Sequence, residues 1–490
     1  MKHIHYLYTL LFAVAALLFF ALVYPHHLHY QEQYQLFLFD SAYVFDIIRQ
    51  PGGVADLLGR FSTQFFLFAW VGAAIIALLL AAIQLLMLRG YTSALRFPLP
   101  PILYGLTFVP SLLLWLFLLD ENALMGGPWA VLLLLLVVRA FTSLPKKHWM
   151  QGAMLVIAIP LLYWMASPWG HYYRYPAESP WLLWAAMLCV FCLLFTVYGL
   201  QKNTSKGGRH ADMSSVNRQL STVKRQPSSV NRKPSTVNNI IIPLTSYLLI
   251  CAVMGPLIWK NANLKAERVM HYDFMARYQQ WNRILETINR EKPNNQIGVT
   301  VQNLALAMHG QLPDHLFDYR QNGLHGLLPD VGTDAISPLP TAEAFYQLGM
   351  VSIAQRTVFE AQEAILDFQK SARCYKRLAE TNLISGQYKV AHKYLSALEK
   401  TLFYSQWASE TMALLSNEEA IAKHPEYGRL RKMGYRDDFY FGDHVTPEML
   451  ESLYLSNRDN HLALQYLMAY YMLTGDRERY TNFMHQIEKQ

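Results

Sequence analysis

Hydropathy breaks once along this chain, at Lys260, and the break limits the fold more than any other feature. Before it, apolar runs of membrane-spanning length alternate with short polar connections. After it, the pattern is that of a water-soluble helical domain. The expectation is an all-α chain: a polytopic transmembrane bundle of about seven spans, followed by an extracytoplasmic helical-repeat domain over 260–490.

A bilayer core takes about 20 apolar helical residues. Seven segments are candidates: Ile4–Val23, Phe65–Leu88, Pro101–Leu119, Pro128–Phe141, Trp149–Met165, Trp181–Leu200 and Ile240–Trp259. The first resembles a signal peptide. Leu22 and Val23 before Tyr24-Pro25 offer no small-residue cleavage site, so it reads as a retained anchor. Trp129, Trp149, Trp169, Trp181 and Trp259 fall at predicted ends, as interfacial aromatic belts do. Inside the spans the polar content is low: Gln84 is one polar residue, and Arg139 lies at an end from which it can snorkel. Ion-coupled transporters place acids or histidines at mid-membrane, so a transporter is disfavoured.

Charge orients the bundle. Arg89 and Arg96 follow the second span, Arg139, Lys146 and Lys147 end the fourth, and a basic loop follows the sixth. The connection after the third carries Asp120 and Glu121. The positive-inside rule puts the basic loops and the N-terminus in the cytoplasm. After an odd number of spans the C-terminal domain is outside, which in a Gram-negative inner membrane means the periplasm.

The loop 201–239 accounts for the basicity. Lys202, Lys206, Arg209, Arg218, Lys224, Arg225, Arg232 and Lys233 face one acid, Asp212, and eight minus one equals the net charge of +7. The remainder is balanced, which argues against a nucleic-acid face. The loop holds a seven-residue repeat beginning at Ser214, Ser221, Ser228 and Ser235. Pro227 and Pro234 break helices, so it reads as a disordered tether with some attraction to anionic headgroups.

Cys189 and Cys192 form a Cys-x-x-Cys pair inside an apolar span, Cys251 lies in another, and Cys374 has no partner in the soluble half. Small hydrophobes packing in a helix are favoured over metal or redox chemistry, and no cofactor is expected.

The first outside loop, 24–64, is the most unusual segment. His26, His27, His29 and Glu32 are spaced so as to permit a metal, though headgroup-level histidines are the favoured reading and no metal is expected. Gln35–Ile48 is aromatic and aliphatic around Asp40 and Asp46. Pro51-Gly52-Gly53 is a turn signal, and Val54–Phe66 reads as a helix. The expected arrangement is an interfacial helix, a turn and a return. The plan of seven spans, such a loop and an outside C-terminal domain resembles membrane-embedded glycosyltransferases that act on lipid-linked sugars. That resemblance implies catalytic carboxylates among Glu32, Asp40 and Asp46.

Beyond Lys260, helices are expected over Val269–Arg290, Thr300–Met308, Ala342–Phe368, Ser371–Ile384, Tyr388–Thr401, Ser405–Leu415, Pro447–Leu455 and His461–Leu473, with a last one from Arg477. Gly323–Pro340 reads as loop. No alternating run supports a sheet. Helix pairs with Gly turns resemble tetratricopeptide repeats of about 34 residues. The best unit has Tyr375, Leu378 and Ala379 on its first helix, Gly386 at the turn, and Ala391 and Leu395 on its second. Asn382 and Phe403 depart from that pattern. Asp330-Val-Gly-Thr-Asp334 lacks a full calcium-loop ligand set and reads as a solvated turn. Arg356, Glu360 and Glu363 read as an ion-paired helix face.

Gln31–Phe37, Pro51–Phe66, Ala354–Ala364 and Tyr375–Tyr388 together resemble a bacterial family of multi-pass membrane proteins of unknown function with a tetratricopeptide-like C-terminal domain. The resemblance supplies an architecture and no catalytic residues. The functional expectation is a membrane protein that presents its helical-repeat domain to an extracytoplasmic protein partner, within an envelope assembly. The alternative is the lipid-linked sugar transferase.

Overall fold

The computed structural model describes residues 4–94, 101–143, 148–167, 181–192, 242–332, 337–365, 369–435 and 446–488. The repeat loop 201–239, Arg96, Lys146, Lys147, Trp169 and Asp334 lie outside them. Among the described residues the protein is all-α, with no strand. It forms two compact units: Met1–Leu28 with Val44–Asn263, and His29–Tyr43 with Leu264–Gln490. The division follows the break near Lys260 with one addition. Residues 29–43, from the first long connection, belong to the C-terminal unit.

The first unit contains α1 (Ile4–Leu18), extended by a π turn over Phe19–Val23, and most of the helices up to Asn263. These are α2 (Pro25–Glu32), α3 (Ser41–Ile48), α4 (Gly53–Thr63), α5 (Ala69–Ala94), α6 (Pro101–Leu106), α7 (Val109–Phe117), α8 (Gly126–Ser143), α9 (His148–Ala166), α10 (Trp181–Cys192) and α11 (Ile242–Asn261). The division between units falls inside α2 and α3. Two described helices, His5–Val23 and Ala69–Gly90, are long and apolar enough to cross a membrane. Tyr104–Phe117, Gly126–Ala140, Gly152–Ala166 and Trp181–Cys192 are shorter apolar helices. The expected helix Pro101–Leu119 is broken into α6 and α7. Pro110 has no N–H to give Leu106, so the ladder is interrupted there.

Polar side chains tie this unit internally. Thr9 donates to Gln84 Oε1 at 2.7 Å, and Gln84 Nε2 donates to Thr107 at 3.0 Å, all three buried. Most polar groups in an apolar interior are satisfied in this way. Close approach of α4 to α8 depends on Gly59: a Cβ there would meet Gly126 N at 2.4 Å.

The second unit runs through α12 (Leu264–Arg277), α13 (Trp281–Glu291), α14 (Gln296–Met308), α15 (Leu312–His315), α16 (Leu324–Leu327), α17 (Pro338–Leu348), α18 (Val351–Ala364), α19 (Ala372–Ile384) and α20 (Tyr388–Leu398). It ends with α21 (Ser405–Met412), α22 (Glu418–Lys423), α23 (Tyr427–Met433), α24 (Pro447–Ser456), α25 (His461–Thr474) and α26 (Arg477–Glu488).

Two expected helices prove to be hairpins. Val269–Arg290 turns at Gln279-Gln280, and Ala342–Phe368 turns at Gly349-Met350. In each, a residue in the left-handed region ends the helix and the next N–H reaches back: Gln280 N to Met275 O and Met350 N to Phe345 O, both 2.9 Å. The expected turn at Gly386-Gln387 uses the same bond, Gln387 N to Asn382 O, at 2.8 Å. Gln280, Met350 and Gln387 share one backbone conformation, with φ −82°, −78° and −81° and ψ 56°, 58° and 57°. Three hairpins therefore close on one turn geometry. Pro338 and Pro340, expected in a loop, open α17, where the first turn needs no proline N–H.

The core is continuous across α14, α17, α18, α23, α24 and α25, with Leu304, Phe345, Leu348, Ile353, Leu430, Leu453 and Leu467 buried. Leu378, Ala379, Ala391 and Leu395 are buried where α19 and α20 meet, and Tyr375 packs edge-on against Tyr394 at 5.1 Å.

Candidate functional site

The site grows out of residues 29–43. α2 ends at Glu32 because Gln33 N and Tyr34 N fall back on Tyr30 O and Gln31 O in tight turns. Residues 35–40 carry no helix. Asp40 then starts α3 by accepting from Ala42 N and Tyr43 N at 3.0 and 3.2 Å. Tyr43 Oη donates back to Leu36 O at 2.8 Å and closes the bend.

Within the C-terminal unit this segment is held by main chain and side chain. Leu36 N donates to Lys370 O at 2.8 Å, and Phe39 N donates to Lys400 O at 2.7 Å. Leu36 enters an apolar cluster with Ala372, Ala379, Leu395, Leu398 and Ala408. His29 stacks on Phe274 with ring centroids 4.5 Å apart. Lys400 Nζ pairs with Asp40 at 2.5 Å.

At its centre Glu32 is buried, 4% exposed. Tyr404 Oη donates to Glu32 Oε1 at 2.9 Å, Arg277 Nη2 donates to Tyr404 Oη at 3.0 Å, and Arg277 Nη1 lies 3.7 Å from Glu32 Oε2. Beside them Arg373 grips Asp273 with both nitrogens, at 2.6 and 2.8 Å, and its Nη1 also reaches Gln33 Oε1 at 3.4 Å. Two cations thus face two carboxylates, with each arginine on a different helix from its acid. Burial pushes the Glu32 carboxyl above its ordinary range, more strongly than Arg277 and Tyr404 pull it down. Burial and the adjacent Glu32 charge push the Tyr404 phenol well up. Such a network is costly to desolvate and more costly to break.

The three carboxylates singled out in the sequence have separate settings. Glu32 is in the network. Asp40 caps α3 and pairs with Lys400, whose hydrogen bond holds its carboxyl below the usual range. Asp46 is exposed on α3, in the other unit. A general base needs an oxygen open to the acceptor; Glu32 Oε1 accepts from Tyr404, and Oε2 is buried with Arg277 Nη1 3.7 Å away.

His27 belongs to the first unit: its buried Nε2–H donates to Leu118 O at 3.0 Å, and burial lowers its pKa to about 3. No group of three or more His, Cys, Asp or Glu side chains is arranged to hold a metal among the described residues. Asp330 is partly exposed and lies 3.4 Å from His325. Arg356 and Glu363 are exposed on α18, with Glu360 half-buried. Cys189, Cys192, Cys251 and Cys374 are all free thiols, and burial pushes Cys374 up to about 11.

Sequence reasoning passed over Asp273, Arg277, Arg373 and Tyr404. Nothing local marks them; Glu32 and Tyr404 are 372 positions apart. It also passed over Asp56 and Arg60 of α4, a buried i, i+4 pair at 2.8 Å in the first unit. Their spacing on an amphipathic helix was the available signal.

Fold and site together define a two-unit, all-helical protein in which a segment from the N-terminal part completes the C-terminal unit. The chain belongs to DUF6057, a family of unknown function, which matches it over residues 1–170 and 167–490. No curated protein and no solved structure matches it.

Proposed function

We propose that this is a multi-pass membrane protein whose C-terminal unit, a tetratricopeptide-like array of helical hairpins on the outer face, binds a protein partner in envelope assembly. The observation that carries this reading is the membership of residues 29–43 in the C-terminal unit. They lie between the two helices that, among the described residues, are long and apolar enough to cross a membrane. A compact folded unit is not expected to straddle a bilayer, which supports residues 29–43 and 264–490 sharing one side. This is the parity that seven spans and the positive-inside rule require.

Two further features support it. Large apolar side chains are exposed on the helices of the first unit, including Leu10, Leu78, Val156, Ile159 and Leu249, as lipid-facing residues are. The three hairpins with one turn geometry fit a repeat architecture that displays a face for peptides.

Reporter fusions at Asn239 and Gln490 test the topology: opposite sides are expected, and matching signals overturn the last span. Cross-linking from residues 264–490 in membranes, followed by purification, tests the function. A stoichiometric protein is expected. A bound polyprenyl-phosphate lipid with no protein on this unit favours the sugar transferase and overturns partner binding.

A further inference from the structure

We propose that the groove formed by α12, α19, α20 and α21 is a peptide-recognition site, that residues 29–43 are its intramolecular occupant, and that an acidic segment of a partner protein binds there in their place. The proposal deepens the partner-binding reading and rests on it.

The occupant shows what the groove recognises. Three anchors recur at four-residue spacing. Glu32 meets Tyr404 and Arg277, Leu36 enters the apolar cluster, and Asp40 meets Lys400. Between them two main-chain N–H groups are taken by Lys370 O and Lys400 O, contacts that depend on no particular side chain. Side-chain anchors supply selectivity and main-chain bonds supply sequence-independent affinity. The groove contributes Arg277, Arg373 and Lys400, and Lys376 lies 4.8 Å over the Trp407 ring. Asp273 neutralises only Arg373. The fitting partner is therefore acidic, with an apolar residue between two carboxylates.

The occupant is also separable from the fold beneath it. The main core of the unit contains no residue of 29–43, and Leu36 joins only the smaller cluster on α19, α20 and α21. Seven of its side chains are buried, of which four are polar (Gln31, Glu32, Gln33 and Gln35) and three are Tyr30, Leu36 and Phe37. A permanent structural strap gains more from apolar side chains, because burying polar groups costs free energy that their new partners only offset. Polar anchors give a contact that discriminates between sequences and exchanges.

The test uses the full chain in detergent and a fluorescent peptide with the sequence of residues 29–43. Leu36→Asp prevents the resident segment from seating, so the peptide is expected to bind that variant ~10-fold or more tightly than wild type, where the groove is occupied. Adding Lys400→Glu to Leu36→Asp should weaken binding again. A Leu36→Asp protein that keeps its cooperative melting transition and binds no peptide overturns the proposal. Hydrogen exchange on wild type provides a readout without substitution. Excess unlabelled peptide should strip protection from the Leu36 and Phe39 amides, and unchanged protection overturns the proposal whether or not the variant folds. The two levels fail separately. Peptide exchange without any stoichiometric partner in membranes refutes partner binding and keeps the groove. A partner cross-linked to this unit, with no peptide exchange, refutes the groove alone.

Discussion

Tyr404 donates its hydroxyl to Glu32 Oε1 at 2.9 Å, joining the first long connection of the chain to the turn before α21, 372 positions later. The contact is buried and Arg277 completes it from α12. Covalent neighbours contribute nothing to it, so its strength measures how firmly residues 29–43 are held in the C-terminal unit.

Removing that hydroxyl should loosen the segment without emptying the site. Tyr404→Phe keeps the ring and deletes two hydrogen bonds, the one donated to Glu32 and the one accepted from Arg277, a loss of at least about 1.5–3 kcal/mol. Thermal melting of the purified chain checks it. A double-mutant cycle with Glu32→Gln should show coupling of at least about 0.5 kcal/mol, since the two share one bond.

The two carboxylates of the segment should respond to pH in opposite senses. Glu32 has a raised folded pKa, chiefly from burial, so its contribution is present below the ordinary carboxylate range and is lost as pH rises through the raised value. Glu32→Gln should therefore gain stability relative to wild type as pH rises. Asp40 has a lowered pKa, chiefly from Lys400, so its contribution is present above the ordinary range and is lost as pH falls through the depressed value. The deficit of Asp40→Asn should shrink on acidification. Melting temperatures of both variants against pH give the slopes.

Arg373 is held by geometry as much as by charge. Its two nitrogens meet the two oxygens of Asp273, and both side chains are largely buried. Arg373→Ala leaves Asp273 without its cation and should cost about 3–5 kcal/mol. Arg373→Lys should recover only part of this, because an ammonium cannot make the forked pair. Denaturant unfolding followed by circular dichroism resolves the two.

Two glycines at matching hairpin turns should differ in tolerance. Gly386 has φ +76° and open space around a would-be Cβ, so Gly386→Ala costs only the left-handed strain, about 1–2 kcal/mol. Gly349 has φ +88°, and a Cβ there would lie 2.9 Å from Met433 Cβ and 3.1 Å from Met433 C. Gly349→Ala should add an overpacking cost of about 1–3 kcal/mol to the same strain. A parallel melting series separates them.

The fold was legible where it depends on local pattern. Ile4–Val23 reads as one apolar helix and is α1 with its π turn. Gly386 reads as a turn and ends α19. Legibility failed where a turn lacks a sequence signature. Gln279 adopts the left-handed conformation without being glycine, so Val269–Arg290 looked continuous. Gly349 was hidden in an apolar helical pattern. Of the candidate site, Glu32 was recognised as unusual, but as a member of a carboxylate set with Asp40 and Asp46. Its actual partners, Arg277 and Tyr404, are ordinary surface-type residues in sequence.

Composition and periodicity by themselves determined the helical class, the apolar first part and the change of character near Lys260, because each depends on residues within a few turns of one another. Only the tertiary structure decided that residues 29–43 belong to the C-terminal unit and that Glu32 spends its charge on Arg277 and Tyr404. Those outcomes rest on desolvation and on pairings between distant segments, which come into being when the chain closes on itself.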